Sequence, residues 1–230
     1  MDEKKYCYKY PHPAVTTDCV IFGFDGQSLK VLLVERGIEP YKGRWAFPGG
    51  FLNPDERAEE GARRELNEET GLEGAFIEQF HTYTEPNRDP RERVITIAYF
   101  ALVRIQEVHG SDDAAKAQWF PIEEVPQLAF DHDRILRDAT RKLRERIHFE
   151  PIGFELLPDK FTMKDLQLLY EAILDVKFDR RNFSKKMIHY GLLNQLDETV
   201  WPTPKREAQL YSFNKEKYDE FKKKGFQIEF

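Results

Sequence analysis

The sequence predicts an α/β protein, an α/β/α sandwich followed by a smaller helical domain, and three observations support this. Apolar, β-branched runs alternate with helical patterns up to about residue 150. A Gly49-Gly50 turn leads directly into an acidic helix that stops at Gly71. Beyond about residue 150, two short helices precede two short strands. At about 150 residues per domain, the 230 residues divide into domains at 1–150 and 151–230.

The first domain opens with a predicted β-hairpin. Its two apolar runs, residues 14–24 and 28–37, are joined by Asp25-Gly26, a dipeptide typical of tight hairpin turns. Later segments predict two further strands, a last apolar run and a closing helix, at residues 74–84, 93–105, 117–130 and 131–147 respectively. Helices on both faces of such strands form an α/β/α sandwich.

Between these strands lies an acidic helix, within the segment GFLNPDERAEEGARRELNEETGL (50–72). Glu65, Glu68 and Glu69 are three and four residues apart, so their like charges share one helical face and repel. A hard divalent cation would relieve this repulsion, because Mg²⁺ binds carboxylate and phosphate oxygens together. It would also polarise a phosphoryl group, as pyrophosphate cleavage requires. The alternative is an ordinary solvated face with Glu-Arg helix pairs.

The spacing of this segment carries a family resemblance. Gly50 is followed by five residues, Glu56, seven residues, Arg64-Glu65-Leu66, one residue, Glu68-Glu69, one residue and Gly71-Leu72. Every position of the Nudix box is filled, so the chain resembles the Nudix superfamily. The resemblance implies a catalytic site with bound Mg²⁺ or Mn²⁺. The residues it implies are Glu65, Glu68, Glu69 and the Gly50 backbone for the metal, Glu56 in support, and Arg64 as the salt-bridge partner of the acidic group.

A charged loop, residues 85–93, lies outside the box. By itself it is typical of a solvated surface turn. Together with VITIAYF and FDHDRIL, however, it resembles the Nudix domains of Nudix-related transcriptional regulators of NAD metabolism and their sugar-sensing relatives. That resemblance implies ligand contacts from Arg88, Arg91 and Arg93, whose planar guanidinium groups suit phosphate. His132 fits the start of a helix better than a catalytic base.

The second domain follows a predicted linker that contains Pro151, Gly153 and Pro158. Thr162, with Asp165 three residues on, predicts a capped first helix. The second helix is predicted to begin after Asp179 and to end at Gly191. It places Phe183, Met187 and Tyr190 towards the core and Arg181, Lys185 and His189 on another face.

Two strand-like runs, residues 193–198 and 208–213, end the domain, and TVWPTPKR separates them. Helix, helix and hairpin resemble a winged helix-turn-helix, the C-terminal domain of the same regulators. The resemblance implies DNA contacts, by Arg180, Arg181, Asn182 and Lys185 on the helix and by Lys205 and Arg206 on the wing. The alternative is an accessory helical domain that lysines keep soluble.

Composition restricts the remaining classes of function. The net charge of −6 disfavours general nucleic-acid binding. The imbalance lies before residue 151, with 21 basic against 28 acidic residues there and 14 against 13 afterwards. Cys7 and Cys19 are too few for a disulfide framework, and no signal peptide or long apolar run is evident. We expect a cytoplasmic protein without a membrane anchor.

The leading hypothesis is a ligand-responsive, DNA-binding transcriptional regulator that acts as a homodimer on an operator. Its Nudix domain would sense an ADP-ribose-like nucleoside-diphosphate-sugar or a sugar, and an intact box is compatible with retained Mg²⁺-dependent pyrophosphohydrolase activity. The main alternative is a Nudix hydrolase, acting on ADP-ribose or a nucleoside-diphosphate-sugar, with an accessory C-terminal domain. A metal-independent sugar-binding domain is a third. The sequence leaves open whether the chain is an enzyme.

Overall fold

The computed structural model describes residues 8–72, 75–106, 114–149, 153–203 and 206–224. The strands are β1 (Ala14–Phe24), β2 (Leu29–Arg36), β3 (Trp45–Ala46), β4 (Gly49–Phe51), β5 (Phe76–Tyr83), β6 (Val94–Leu102), β7 (Ala114–Pro121), β8 (Phe161–Thr162), β9 (Leu193–Thr203) and β10 (Arg206–Phe213). The helices are α1 (Ala58–Thr70), α2 (His132–Phe149), α3 (Met163–Leu174), α4 (Arg180–Tyr190) and α5 (Lys215–Lys224). No helix among these residues is both long and apolar enough to cross a membrane.

The first domain is built on a mixed sheet with the strand order β3-β2-β1-β6-β5. β4 also pairs with β1, and β7 with β2. β1 and β6 run parallel, and β1 and β2 form the predicted antiparallel hairpin. At its turn, Asp25 Oδ1 accepts hydrogen bonds from the backbone N–H groups of Gln27 and Ser28. Gly26 has a φ of 92°, a conformation that glycine favours.

Successive side chains of β1 face opposite sides of the sheet, as in any strand. Cys19 and Ile21 belong to an apolar cluster with the α1 residues Ala62 and Leu66. Val20 and Phe22 belong to the other cluster, which includes α2 residues. Helices therefore cover both faces, and the predicted α/β/α sandwich is confirmed. The α1 helix ends at Gly71, as predicted.

The second domain shares a core with the first. The apolar cluster on the α2 side continues through Leu156 and Leu157 to Phe161, α3 and α4. Arg104 Nε also donates to the Leu157 carbonyl at 2.7 Å, and Arg144 Nε to the Ile173 carbonyl at 2.8 Å. Leu156 and Leu157, which belong to the predicted linker, are buried. The described part of this linker is therefore packed against the core. Pro151 lies outside the described residues.

Both predicted helices of the second domain are present, with the predicted starts and, for the second helix, the predicted end. Thr162 and Asp165 form a reciprocal capping box at the start of α3. Asp179 accepts from the Asn182 N–H at the start of α4, and Gly191 ends that helix with a φ of 66°. The winged helix-turn-helix order is therefore confirmed.

The wing differs from the prediction. The segment TVWPTPKR was expected to separate the strands, yet β9 continues to Thr203 and β10 begins at Arg206. The small sheet has the order β8-β10-β9, so β9 is an edge strand. Proline lacks an N–H and is tolerated at an edge, which explains how Pro202 sits inside a strand.

Candidate functional site

A cavity of about 350 Å³ opens where β1, β2, β4, α1 and the start of α2 meet. Its wall combines acidic, basic and aromatic side chains. They include Asp18, Glu35, Arg36, Gly49, Gly50, Phe51, Glu65, Glu69, Arg88, Asp89, Arg91, Phe130 and His132. The structure thus brings part of the acidic helix and part of the charged loop to one place.

Arg64 lies between three carboxylates of the box. It donates two hydrogen bonds to Glu56, of 2.7 and 3.0 Å. Its Nη1 contacts Glu65 Oε1 at 2.7 Å and Glu68 Oε2 at 3.1 Å. The hydrogen bonds from Arg64 lower the pKa of Glu56 to about 2, so this carboxylate stays ionised. Arg64 therefore occupies the position that the resemblance implies.

Two of the three predicted metal-binding carboxylates face the cavity. Glu69 Oε2 accepts from the Gly49 N–H at 2.9 Å. A Cβ at position 50 would lie 2.2 Å from Glu65 Oε1, so any larger residue there would displace the Glu65 carboxylate from its present place. Burial raises the pKa of Glu65, although Arg64 acts in the opposite direction. Glu68 does not line the cavity, and its side chain is 56% exposed beside Arg64.

This arrangement fits a hard cation only in part. Within the described parts of the chain, no three His, Cys, Asp or Glu side chains converge as a ready-made metal site. Of the predicted trio, Glu68 lies outside the cavity, where it pairs with Arg64. Glu65, Glu69 and backbone oxygen at Gly50 supply oxygen donors, which Mg²⁺ and Mn²⁺ prefer. Water or substrate phosphate would have to complete the coordination, as is usual for Mg²⁺.

The three loop arginines lie in different surroundings. Arg88 is buried, with bonds of 2.7 and 3.1 Å to Asp131 and a contact of 3.4 Å to Asp18. Arg91 is paired with Asp89 and lies over the rings of Phe51 and Phe130, at 5.3 and 5.7 Å. These two arginines line the cavity.

Arg93 lies apart from them. It is exposed, is not among the cavity-lining residues, and donates to the Thr84 carbonyl at 2.7 Å. Arg91 is therefore the better placed of the loop arginines to meet a ligand, because its contacts leave it partly exposed at the cavity wall.

Arg36 was not predicted. Its Nε donates to the Pro40 carbonyl at 2.7 Å, and its guanidinium lies 4.8 Å from the Phe130 ring centre. Its Nη2 is buried and has no hydrogen-bond partner in the described structure. Burial lowers the pKa of Arg36, and the charge of Arg91 lowers it further. Buried donors are normally satisfied, so an unpaired one at a cavity wall indicates a place for an anion.

His132 begins α2, as predicted, and is buried. Its Nδ1 accepts from the Phe47 N–H at 3.0 Å, which places the ring proton on Nε2, 3.5 Å from Asp18 Oδ1. Burial lowers its pKa, so the ring is neutral near pH 7. With Nδ1 occupied, His132 is suited to holding the cavity wall in place rather than to accepting a proton.

A second candidate site is the exposed side of α4. Phe183 and Met187 are buried, whereas Arg180, Arg181, Asn182 and Lys185 are exposed. Of the predicted wing residues, Lys205 lies outside the described residues and Arg206 is described only as part of β10.

The turn between α3 and α4 is held by Glu171. Its Oε1 accepts from the Phe178 N–H at 3.0 Å and from Gln167 Nε2 at 2.8 Å. Its Oε2 accepts from Lys177 at 2.9 Å. These bonds fix the angle at which α4 is presented.

Comparison with known proteins connects both sites to families. The family model "NUDIX domain" matches residues 12–143, and the model "NrtR DNA-binding winged helix domain" matches residues 153–213. The chain is 34% identical over 218 residues to the ADPR responsive transcriptional repressor NtrR of Acinetobacter baylyi, covering 91% of this chain and 86% of that protein. It is 41% identical over 140 residues to the ADP-ribose pyrophosphatase of Methanocaldococcus jannaschii, covering 61% and 80%.

Solved structures resemble this chain over the same two domains. NrtR of Shewanella oneidensis complexed with a 27mer DNA matches with a TM-score of 0.76 and 28% identity, over 89% of this chain and 95% of that one. The NUDIX domain of the same protein complexed with ADP ribose matches with a TM-score of 0.54 and 33% identity, over 58% and 90%. Nudix hydrolases generally use divalent metal ions. The chain therefore belongs to the Nudix family, and among its members to those that carry an NrtR-type DNA-binding winged helix domain.

Proposed function

We propose that this protein is a transcriptional regulator that binds DNA through its winged helix domain and responds to an ADP-ribose-like effector in its Nudix domain. The observation that carries the proposal is one continuous apolar core, which joins the domain with the arginine-lined cavity to the domain with the cationic helix α4. Because the core is shared, a ligand that shifts one domain also changes the free energy of the other.

The chemistry of the cavity supports a diphosphate-containing effector. Arg36 offers a buried, unpaired donor, and Arg91 lies at the same wall beside two aromatic rings. Guanidinium groups bind phosphate oxygens bidentately, and aromatic rings suit the flat face of a nucleobase. A free sugar would leave the unpaired donor of Arg36 without an anion. The responsiveness of the A. baylyi repressor to ADPR and the ADP ribose complex of the S. oneidensis domain support the same ligand class.

The exposed side of α4 supports DNA binding. Residues 180–190 carry four lysines and arginines and no acidic residue, and the N-cap Asp179 lies outside the helix. Such a helix fits the major groove, and its cations contact phosphates. The S. oneidensis relative was crystallised with DNA, and the A. baylyi relative is named a repressor. We infer repression as the output, because the A. baylyi relative is named a repressor, and we propose the cytoplasm as the location.

Charge reversal on α4 tests the regulator. Arg181→Glu combined with Lys185→Glu should abolish binding to the DNA upstream of the genes that neighbour its own gene. Both side chains are exposed, so the change should leave the fold intact. Fluorescence anisotropy measures the binding. The matched control is Lys42→Glu with Arg137→Glu, which changes the net charge equally on the exposed surface of the other domain. Unchanged DNA binding in the α4 variant would contradict the proposal.

We also propose that the protein acts as a homodimer. Winged helices in a two-fold dimer contact two half-sites, and the effector would alter the fit by changing their relative placement. Light scattering of the free protein and of its DNA complex measures the number of chains in each. A single chain in the DNA complex would contradict this mechanism.

A specific observation favours a second function, hydrolysis at the same cavity. Glu65 and Glu69 line it and, with backbone oxygen at Gly50, would hold Mg²⁺ or Mn²⁺. When bound, such an ion polarises a phosphoryl group and lowers the pKa of its water. The identity to an ADP-ribose pyrophosphatase supports this activity.

Glu69→Gln tests the second function. It should remove Mg²⁺-dependent turnover of ADP-ribose, whereas Glu59→Gln, an exposed change on the same helix, should leave turnover intact. If wild-type protein binds ADP-ribose and does not cleave it, the hydrolysis proposal is wrong and ligand sensing is the remaining function of the cavity. Full turnover together with absent DNA binding would instead favour a plain hydrolase with an accessory domain.

A further inference from the structure

The outer face of α4 carries a large apolar side chain among its polar and basic ones. Ile188 is 57% exposed, although its neighbour Met187 is buried at 1%. It lies seven residues after Arg181 and three after Lys185, spacings that put all three on the same side of a helix. Phe183 and Met187 occupy the opposite, core-facing side. Ile188 is therefore part of the surface that the proposed function presents to DNA.

The surroundings of Ile188 distinguish it from an ordinary exposed apolar residue. Single exposed hydrophobic residues are common and by themselves mean little. Here, however, the isoleucine lies within a helix surface whose charged groups are all cationic. That surface is complementary to the phosphates that flank the major groove, so the partner that it binds is DNA. Among base edges in that groove, only thymine presents an apolar group, its C5 methyl.

We propose that Ile188 contributes sequence specificity by contacting the C5 methyl group of a thymine in the operator. The inference rests on the proposed DNA-binding function of α4 and adds a base preference to it. Lys185 and Arg181 supply affinity through phosphate, which is independent of sequence, whereas Ile188 distinguishes thymine from the other bases. Removing one buried methyl group weakens such a contact about fourfold.

Deoxyuridine tests this contact because it lacks only the C5 methyl group of thymidine. The probe is a duplex enriched by the full-length protein from a random-sequence pool, in which each dT is replaced singly by dU. Wild-type protein should bind about fourfold more weakly when dU replaces the critical dT of either half-site. Ile188→Ala should bind the dT duplex at least equally weakly and should no longer distinguish dT from dU at that position. Ile188→Leu should keep most of the discrimination.

Lys185→Ala is the matched control on the same face. It should weaken binding to the dT and dU duplexes by the same factor, because a phosphate contact does not depend on the methyl group. Ile188 is exposed, so its truncation leaves no cavity, and an unchanged melting temperature verifies the fold. If wild-type protein binds the duplex but no dU position matters, or if Ile188→Ala keeps the wild-type ratio, this inference is wrong while DNA binding stands. If wild-type protein enriches no duplex at all, the proposed function fails with it.

Discussion

Arg36→Met is expected to weaken ADP-ribose binding strongly while leaving the free protein about as stable as before. Loss of a charge-assisted bond to the effector costs about 1.5–3 kcal/mol, or roughly tenfold to 150-fold in affinity. In the free protein the change removes the bond to Pro40 and the contact with Phe130, about 1 kcal/mol each. It also removes a buried unpaired Nη2, whose desolvation costs about 1–3 kcal/mol. These terms offset one another to within about 1 kcal/mol.

Titration calorimetry with ADP-ribose and urea unfolding without ligand measure the two quantities separately. Arg93→Met is the matched control, since Arg93 is exposed and does not line the cavity; it should leave the ADP-ribose affinity unchanged and lower the stability by no more than about 1 kcal/mol, through loss of its bond to the Thr84 carbonyl. An affinity loss below about threefold in Arg36→Met would refute the assignment of the unpaired donor to the effector. So would a loss of stability as large as the loss of binding energy.

Further predictions concern the wall of the cavity and the turn before α4. Gly50→Ala should abolish ADP-ribose turnover, because its Cβ would displace the Glu65 carboxylate, and should lower the unfolding free energy by no more than about 1 kcal/mol, because that carboxylate is the end of a flexible side chain. Between about pH 7 and 5, wild-type stability should fall more steeply than that of His132→Gln. Burial lowers the pKa of His132 from its usual 6.5. Its contribution to the free energy of unfolding is therefore complete above that pH and is lost as the pH falls through the folded-state pKa. Glu171→Ala should cost about 1–3 kcal/mol in urea unfolding, because it removes the acceptor of the partly buried Phe178 N–H and of Gln167, whereas the exposed Lys177→Ala should cost under about 1 kcal/mol.

Each of these has a contradicting outcome. A Gly50→Ala variant with full turnover would mean that Glu65 has no fixed place in the site. Equal pH slopes for wild type and His132→Gln would show that the imidazole titrates alike in the folded and unfolded chains. Similar costs for the Glu171 and Lys177 variants would place the stabilisation in the exposed ion pair rather than in the bonds to Phe178 and Gln167.

Features that depend on local sequence were predictable. The box helix, its end at Gly71, the Asp25-Gly26 hairpin and the caps at Thr162 and Asp179 each arise from residues a few positions apart. The same holds for the basic face of α4, because helical spacing fixes which side chains lie together.

The remaining features depend on distant contacts. Arg88 lines the cavity, and its ligand contact stays a prediction, but its ion pairs with Asp18 and Asp131, 70 and 43 positions away, could not be read from the sequence. The unpaired donor of Arg36 exists only because Pro40 and Phe130 hold its other side. Pro202 predicted a break, since nothing local reveals that β9 would be an edge strand.

The central claim is that the cavity and α4 are energetically coupled, and one titration tests it directly. Binding of the enriched duplex is measured by fluorescence anisotropy with and without saturating ADP-ribose, for wild-type protein and Arg36→Met. We predict that ADP-ribose changes the wild-type DNA affinity at least about fivefold. At the same ligand concentration it should leave the Arg36→Met variant nearly unaffected. A wild-type DNA affinity that stays the same with the cavity saturated would contradict the account.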